Sequence, residues 1–298
     1  MWGGSGELVI WGLAYVAVVS VGLLGVSYVL VWGVLEVSLV LSLTYFVWKD
    51  SRMSGVFYYY VVQALSSLMM IVGAMVGEGL MVLVSFVVKM GLFSVFVWMV
   101  GVVWSLEFGG SILLVLWAQK LVPLLLLFEW GWVLEWGSGL LWGLVCSGII
   151  VGSVVMMVGF SLKWLLVMSS LVHTSWLVVI MMGSCGALLF YFVLYGVLLM
   201  VVLGDLGKNW VAAGGLVVLS SVPPLLGFVL KFYSLSLVVK GAELLVIAGV
   251  VLVVGTVVGY FANMVGMFMS NSAGSSEDGG VLGSVGLLLL LTMVGSVF

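Results

Sequence analysis

The stretch Leu219–Phe232 reads Leu-Ser-Ser-Val-Pro-Pro-Leu-Leu-Gly-Phe-Val-Leu-Lys-Phe, and it lies inside an apolar run from about residue 210 to residue 239. Such a run is long enough to cross a bilayer. Proline has no N–H, so Pro223 and Pro224 leave the carbonyls four residues before them without helical partners, and hydrocarbon tolerates freed carbonyls only inside protein or beside a wet cavity. Lys231 follows seven residues later, roughly 10 Å along a helix. A broken helix with a buried lysine indicates ion or proton traffic.

The composition excludes a water-soluble domain. Of 298 residues, 65% are hydrophobic and only 6% are charged, and the mean hydropathy is +1.46. This pattern predicts a polytopic membrane protein. The net charge of −3 is too thinly spread to indicate nucleic acid or an acidic substrate. Cys146 and Cys185 form no CxxC motif, and residues 1–7 lack the basic region of a signal peptide.

Polar residues divide the chain into eleven apolar segments of about the length that a transmembrane helix needs. We therefore predict an all-α transmembrane bundle that forms one integral membrane domain over residues 1–298, with span nine discontinuous at its proline pair. A tryptophan-rich loop is expected at residues 129–137 and the most loop-like segment at 271–280. The predicted spans are residues 8–24, 26–48, 54–77, 80–104, 112–128, 138–160, 162–182, 184–203, 210–239, 243–269 and 281–298.

The basic residues outside the spans predict the orientation of the chain. One side of an eleven-span protein would carry Lys49, Arg52, Lys163 and Lys208, whereas the other would carry only Lys240. Because basic residues accumulate on the cytoplasmic side, we expect the N-terminus on the cytoplasm-like or matrix-like side.

Five polar residues within the predicted spans could carry chemistry: Glu36, Lys89, Lys120, Lys231 and His173. Burial disfavours the charged form of each side chain, whereas a nearby opposite charge favours it. A lysine whose carboxylate partner moves away therefore tends to release its proton, which would allow a proton relay. Alternatively, these residues form structural ion pairs, or the lysines reach the membrane interface.

Each of these residues leaves a second interpretation open. Glu36 either pairs with Lys89 or stays neutral and hydrogen-bonded in a helix contact. Pro123 frees the carbonyl of Gln119 beside Lys120, which indicates a functional break or an ordinary kink. His173 takes part in the proton path or in a packed helix contact. A single histidine cannot supply two axial haem ligands, and the sequence has no cluster of metal-binding residues.

Six stretches of the sequence form a series of motifs: Trp32-Gly33-Val34-Leu35-Glu36, Tyr58–Ser66 with Gln63, Lys89-Met90-Gly91, Trp117-Ala118-Gln119-Lys120-Leu121-Val122-Pro123, Leu162–Trp176 and Ser221–Lys231. In this order they resemble chain 2 of NADH:ubiquinone oxidoreductase, an antiporter-like subunit of respiratory complex I. The resemblance covers roughly residues 30–235.

The resemblance implies an eleven-helix bundle in which spans four and nine are broken. Glu36 and Lys89 would be the paired entry site for protons, Lys120 the central lysine and Lys231 the exit-side lysine, with Lys163 and His173 accessory. The chain would be a multi-pass protein of the mitochondrial inner membrane with its N-terminus in the matrix. Other membrane-arm subunits and the lipid bilayer would be its partners. It would have no cofactor of its own, because NADH, FMN, Fe–S clusters and ubiquinone would bind other subunits.

The sequence departs from the family pattern after Lys89. The family continues with Pro-Phe-His-x-Trp-x-Pro-Glu, whereas residues 94–101 here retain only Trp98. The departure puts the break of span four in question. Two other functions share the predicted architecture: a subunit of a multi-chain cation/proton antiporter, and a structural membrane subunit without a proton path.

Overall fold

The computed structural model describes residues 5–23, 27–49, 52–106, 109–157, 161–181, 185–204, 209–220, 227–229, 231–233 and 256–261. These residues are almost entirely helical and contain no strand, which confirms the predicted all-α class. The helices are α1 (Ser5–Leu23), α2 (Tyr28–Trp48), α3 (Met53–Val76), α4 (Gly79–Met90), α5 (Val97–Ser105), α6 (Gly110–Leu116), α7 (Leu121–Glu129), α8 (Gly131–Met157), α9 (Leu162–Met181), α10 (Cys185–Gly204) and α11 (Asn209–Leu219), with a 3₁₀ turn at Ala118–Lys120.

The described part of the chain is a multi-pass membrane protein. Six of its segments are helical, apolar and long enough to cross a membrane: Tyr28–Trp48, Met53–Val76, Gly110–Glu129, Gly139–Met156, Leu162–Met181 and Cys185–Gly204. The outer surface is apolar as well, since Phe57, Leu65 and Met75 of α3 are all exposed. The bounds of α1, α2, α3, α9 and α10 lie within three residues of the predicted spans.

Predicted span four is broken into α4 and α5, as the resemblance implies. α4 ends at Met90, and Gly91 follows in the left-handed conformation with φ +64°. Ser94 has φ +77°, a conformation that costs energy for a residue with a Cβ. The break therefore forms without the proline and histidine that the family has there, because left-handed residues turn the chain instead.

Predicted span five is also interrupted. α6 stops at Leu116, the 3₁₀ turn follows, and α7 begins at Leu121. Pro123 lies in the first turn of α7, where its missing N–H removes no helical bond within α7. The same proline denies the Gln119 carbonyl a partner, so a regular helix cannot run through this point.

The predicted loop at residues 129–137 is wrong. Only Trp130 separates α7 from α8, and residues 131–137 belong to α8. The prediction rests on Glu129 and Glu135 as polar breaks between spans. Glutamate is nevertheless a good helix former, and extending an existing helix adds one hydrogen bond per residue. At 27 residues α8 is about 40 Å long, so it exceeds the roughly 30 Å hydrocarbon core.

Several predictions fall outside the described residues. The proline pair of span nine, most of span ten, all of span eleven and the loop at 271–280 lie there. The count of eleven spans therefore stays a prediction. α11 ends at Leu219, just before the proline pair, and Ser220 forms a turn.

The chain divides by packing into two compact units, Met1–Leu144 and Val145–Phe298. In the first unit, α3 packs against α2, α4 and α5, while α4 also packs against α7 and the 3₁₀ turn. In the second unit, α10 packs against α9 and α11. α9 is the most enclosed helix described, because every residue from Leu165 to Met181 is buried. The single domain over residues 1–298 stays a prediction.

Candidate functional site

Lys89 lies in the last turn of α4, one residue before the helix ends. Its side chain is 5% exposed. Two hydrogen bonds close the helix end: Gly91 N–H donates to Val88 O and Leu92 N–H donates to Val87 O, both at 3.1 Å. This pairing is a Schellman motif. The Trp98 indole also donates to Val88 O, at 3.0 Å. The break that follows Lys89 is therefore a hydrogen-bonded structure that fixes the position of the lysine.

Glu36 and Lys89 belong to one polar cluster in the first unit. No direct ion pair joins the two side chains among the described residues, and each contacts α3 instead. The Ser67 hydroxyl of α3 donates to Glu36 Oε1. The Lys89 ammonium lies 3.4 Å from the Gln63 carbonyl, also on α3. One carboxylate and one amine thus contact α3 at positions four residues apart, which lie on the same face of that helix.

Lys120 occupies the last position of the 3₁₀ turn, and its side chain is 2% exposed. The Lys120 N–H donates to Trp117 O at 3.0 Å. Because the 3₁₀ turn packs against α4, the two elements that carry Lys89 and Lys120 are neighbours. Both lysines lie where a helix is interrupted.

His173 lies in the middle of α9, buried between two tyrosines of α10. Its Nδ1 is 2.8 Å from the Tyr191 hydroxyl. Its ring stacks on Tyr195, with centroids 4.3 Å apart and planes inclined by 25°. A hydroxyl contact of this kind sets the orientation of an imidazole. His173 is therefore both packed and hydrogen-bonded, and it keeps the chemistry of a proton carrier.

Lys231 and Lys163 complete the predicted set. Lys231 is buried, and its ammonium donates to Thr256 Oγ1 at 2.9 Å. Lys163 is half-buried in the first turn of α9, which agrees with the start of predicted span seven. Lys163, His173 and Lys231 lie in the second unit, whereas Glu36, Lys89 and Lys120 lie in the first.

Sequence reasoning missed the partners of these residues. Ser67, Tyr15, Tyr191 and Thr256 contact the site through long-range hydrogen bonds. Each of these is a hydroxyl-bearing residue within an apolar run, and such a residue does not by itself identify its hydrogen-bond partner. Trp98 gave a stronger signal, because within residues 94–101 it alone matches the family pattern.

Among the described residues, no three histidine, cysteine, aspartate or glutamate side chains are placed to hold a metal ion. The absence of cofactors on this chain stays a prediction.

The chain was compared with known proteins. No family model matches it. It is 26% identical over 231 residues to NADH-ubiquinone oxidoreductase chain 2 of Albinaria caerulea, covering 72% of this chain and 73% of that relative.

Solved structures share the fold. The structure of respiratory complex I from Thermus thermophilus with bound aureothin contains a similar chain, with a TM-score of 0.79 and 17% identity, covering 99% of this chain and 79% of that chain. A chain of the Mrp complex from Dietzia is similar with a TM-score of 0.74 and 14% identity, covering 85% of this chain and 59% of that chain. A chain of the membrane-bound sulfane sulfur reductase, an archaeal respiratory complex, is similar with a TM-score of 0.75 and 12% identity, covering 90% of this chain and 68% of that chain. The sequence relative and the shared fold together confirm the resemblance that the motifs indicate, to chain 2 of NADH:ubiquinone oxidoreductase and the antiporter-like membrane subunits.

Proposed function

We propose that the chain is a proton-translocating, antiporter-like membrane subunit of NADH:ubiquinone oxidoreductase. Glu36, Lys89, Lys120 and Lys231 move protons, Lys163 and His173 assist, and quinone reduction elsewhere in the complex drives the transfer. The observation that carries the proposal is the burial of Lys89 and Lys120 at interruptions of neighbouring helices. A lysine deep in a membrane protein is costly and is a functional candidate by default.

The chain would work in a hetero-oligomer with other membrane-arm subunits, in the mitochondrial inner membrane, and its similarity to chain 2 of NADH-ubiquinone oxidoreductase and to chains of multi-subunit membrane complexes supports this part of the proposal. The basic residues outside the predicted spans support a matrix-side N-terminus. The chain would be part of an enzyme, but it would carry no redox centre itself. NADH, FMN, Fe–S clusters and ubiquinone bind other subunits.

The substitution Lys89→Met tests the relay. Methionine keeps the length and the apolar stem of the side chain but cannot carry a proton. A positioned proton-transfer group contributes about 10²- to 10⁴-fold in rate, so we expect proton transfer through this chain to fall by a factor of that order. The measurement is the number of protons translocated per NADH oxidised in vesicles, beside the amount of assembled complex on a native gel.

Lys49→Met is the matched control, because Lys49 caps the end of α2 and lies against the Trp48 ring rather than inside a helix break. The Lys49→Met complex should translocate the wild-type number of protons per NADH oxidised. A Lys89→Met complex that assembles and also pumps at the wild-type ratio would contradict the relay and favour a purely structural subunit.

A multi-chain cation/proton antiporter is the second candidate, and the similarity to the Mrp complex favours it. Native electrophoresis with an NADH dehydrogenase stain separates the two functions. We expect the chain, located by peptide mass spectrometry, in the active high-mass band. Its appearance in a separate assembly that exchanges sodium for protons without oxidising NADH would establish the antiporter instead.

A further inference from the structure

The break in span five is held from two neighbouring helices. Ala118 and Gln119, the two residues before Lys120, each make a hydrogen bond to a side chain of another helix. The first contact is to a backbone carbonyl and the second is to a side chain. Because both lie within two residues of Lys120, they constrain the turn that carries the lysine.

Tyr15 of α1 makes the first contact. Its hydroxyl donates to Ala118 O at 2.8 Å, across 103 positions of sequence. The Leu121 N–H donates to the same oxygen, so both acceptor positions of that carbonyl are used. The Tyr15 ring is buried and stacks on Trp11, with centroids 5.3 Å apart. Trp11 in turn donates to Leu41 O of α2 at 3.0 Å. The ring is thus fixed, and only its hydroxyl reaches the turn.

Ser42 of α2 makes the second contact. The Gln119 amide donates to the Ser42 hydroxyl, which is fully buried. The single hydrogen of the Ser42 hydroxyl is shared between the carbonyls of Ser38 and Leu39, at 2.8 and 2.9 Å. A continuous series of hydrogen bonds therefore runs from Gln119 through Ser42 to the backbone of α2, and it connects the turn to a membrane-spanning helix.

We propose that Tyr15 and Ser42 are positioning residues for Lys120: together they clamp the 3₁₀ turn and hold the lysine in the geometry that proton transfer needs. The inference rests on the proposed function of Lys120. Tyr15 contacts the backbone of Ala118 and Ser42 contacts the side chain of Gln119. The proposal therefore gives both residues a positioning role and not a proton-carrying one. The net contribution of one hydrogen bond to stability is about 0.5–1.5 kcal/mol. Loss of one contact should therefore shift the equilibrium between the turn in the observed position and the turn displaced from it by about 2- to 10-fold.

The test compares Tyr15→Phe, Ser42→Ala and Ser42→Thr in the assembled complex. Tyr15→Phe keeps the stacked ring and removes only the hydroxyl. Ser42→Ala removes the acceptor for Gln119, whereas Ser42→Thr restores it. Tyr60→Phe is the matched control, because Tyr60 is 46% exposed on α3. The readouts are assembled complex, NADH oxidation, and protons translocated per NADH.

We expect Tyr15→Phe and Ser42→Ala to assemble and oxidise NADH while translocating fewer protons per NADH, with Ser42→Thr and Tyr60→Phe unchanged. A structural role would lower the amount of complex but not the ratio. Wild-type ratios in both Tyr15→Phe and Ser42→Ala would overturn the clamp.

Lys120→Met, measured in parallel, separates the clamp from the relay. If Lys120→Met lowers the ratio and the clamp variants do not, only the clamp is wrong. If the Lys120→Met complex translocates the wild-type number of protons per NADH, the proposed role of Lys120 is wrong, and the clamp proposal is wrong as well.

Discussion

At the scale of single residues, Gly91 decides how α4 ends beside Lys89. Its left-handed backbone costs a residue with a Cβ roughly 1–2 kcal/mol. A Cβ there would also lie 2.6 Å from Met99 Cε, so the Met99 side chain would have to move. We expect Gly91→Ala to destabilise the protein by somewhat more than the backbone cost and to lower proton translocation. Thermal denaturation of the purified complex and proton-to-NADH ratios measure the two effects.

Gly77→Ala separates backbone strain from crowding. Gly77 also has a left-handed backbone, with φ +81°, but a Cβ there meets nothing within 4 Å. It should destabilise the protein by the backbone cost alone and leave translocation unchanged. Equal effects of both substitutions on translocation would show that the end of α4 does not position Lys89.

At the scale of helices, the break between α4 and α5 depends on a contact made by α5. The Trp98 indole donates to Val88 O, the carbonyl just before Lys89. Trp98→Phe removes this donor. Because Gly91 N–H still reaches the same carbonyl, we expect a cost of about 0.5–1.5 kcal/mol rather than that of an unsatisfied group. The amide exchange of residues 86–92, followed by mass spectrometry, should become faster by about 2- to 10-fold.

Trp104→Phe is the control on the same helix, since Trp104 is 51% exposed. It should leave exchange at the end of α4 as in the unsubstituted chain. Unchanged exchange in the Trp98→Phe protein as well would show that the glycine cap alone fixes the break.

At the scale of the whole molecule, the basic residues predict the orientation in the membrane. The excess of lysine and arginine on one side of the predicted spans predicts that the N-terminus lies in the matrix. A protease-sensitive tag at the N-terminus should therefore be cleaved in inverted inner-membrane vesicles and protected in intact mitoplasts. The reverse pattern would contradict the proposed topology and the span count from which it was derived.

The sequence was enough to predict the class of the protein and the bounds of five of its described helices. Hydrocarbon requires each spanning segment to satisfy its own backbone, so long apolar runs become helices. This rule placed α1, α2, α3, α9 and α10. It also identified Lys89, Lys120 and Lys231 as exceptional, because a charge in such a run is rare and costly.

Only the tertiary structure decided which polar groups meet. Tyr15 reaches Ala118 across 103 positions, and Ser67 reaches Glu36 across 31; no local pattern encodes such pairs. It also decided that span four breaks through left-handed Gly91 and Ser94, where the family's proline is missing, and that span five breaks beside Lys120. A helix break inside a membrane must have its backbone groups satisfied within the protein or beside a wet cavity. Part of that satisfaction comes from side chains of other helices, such as Trp98 at Val88 O and Tyr15 at Ala118 O, and only folding brings those helices together.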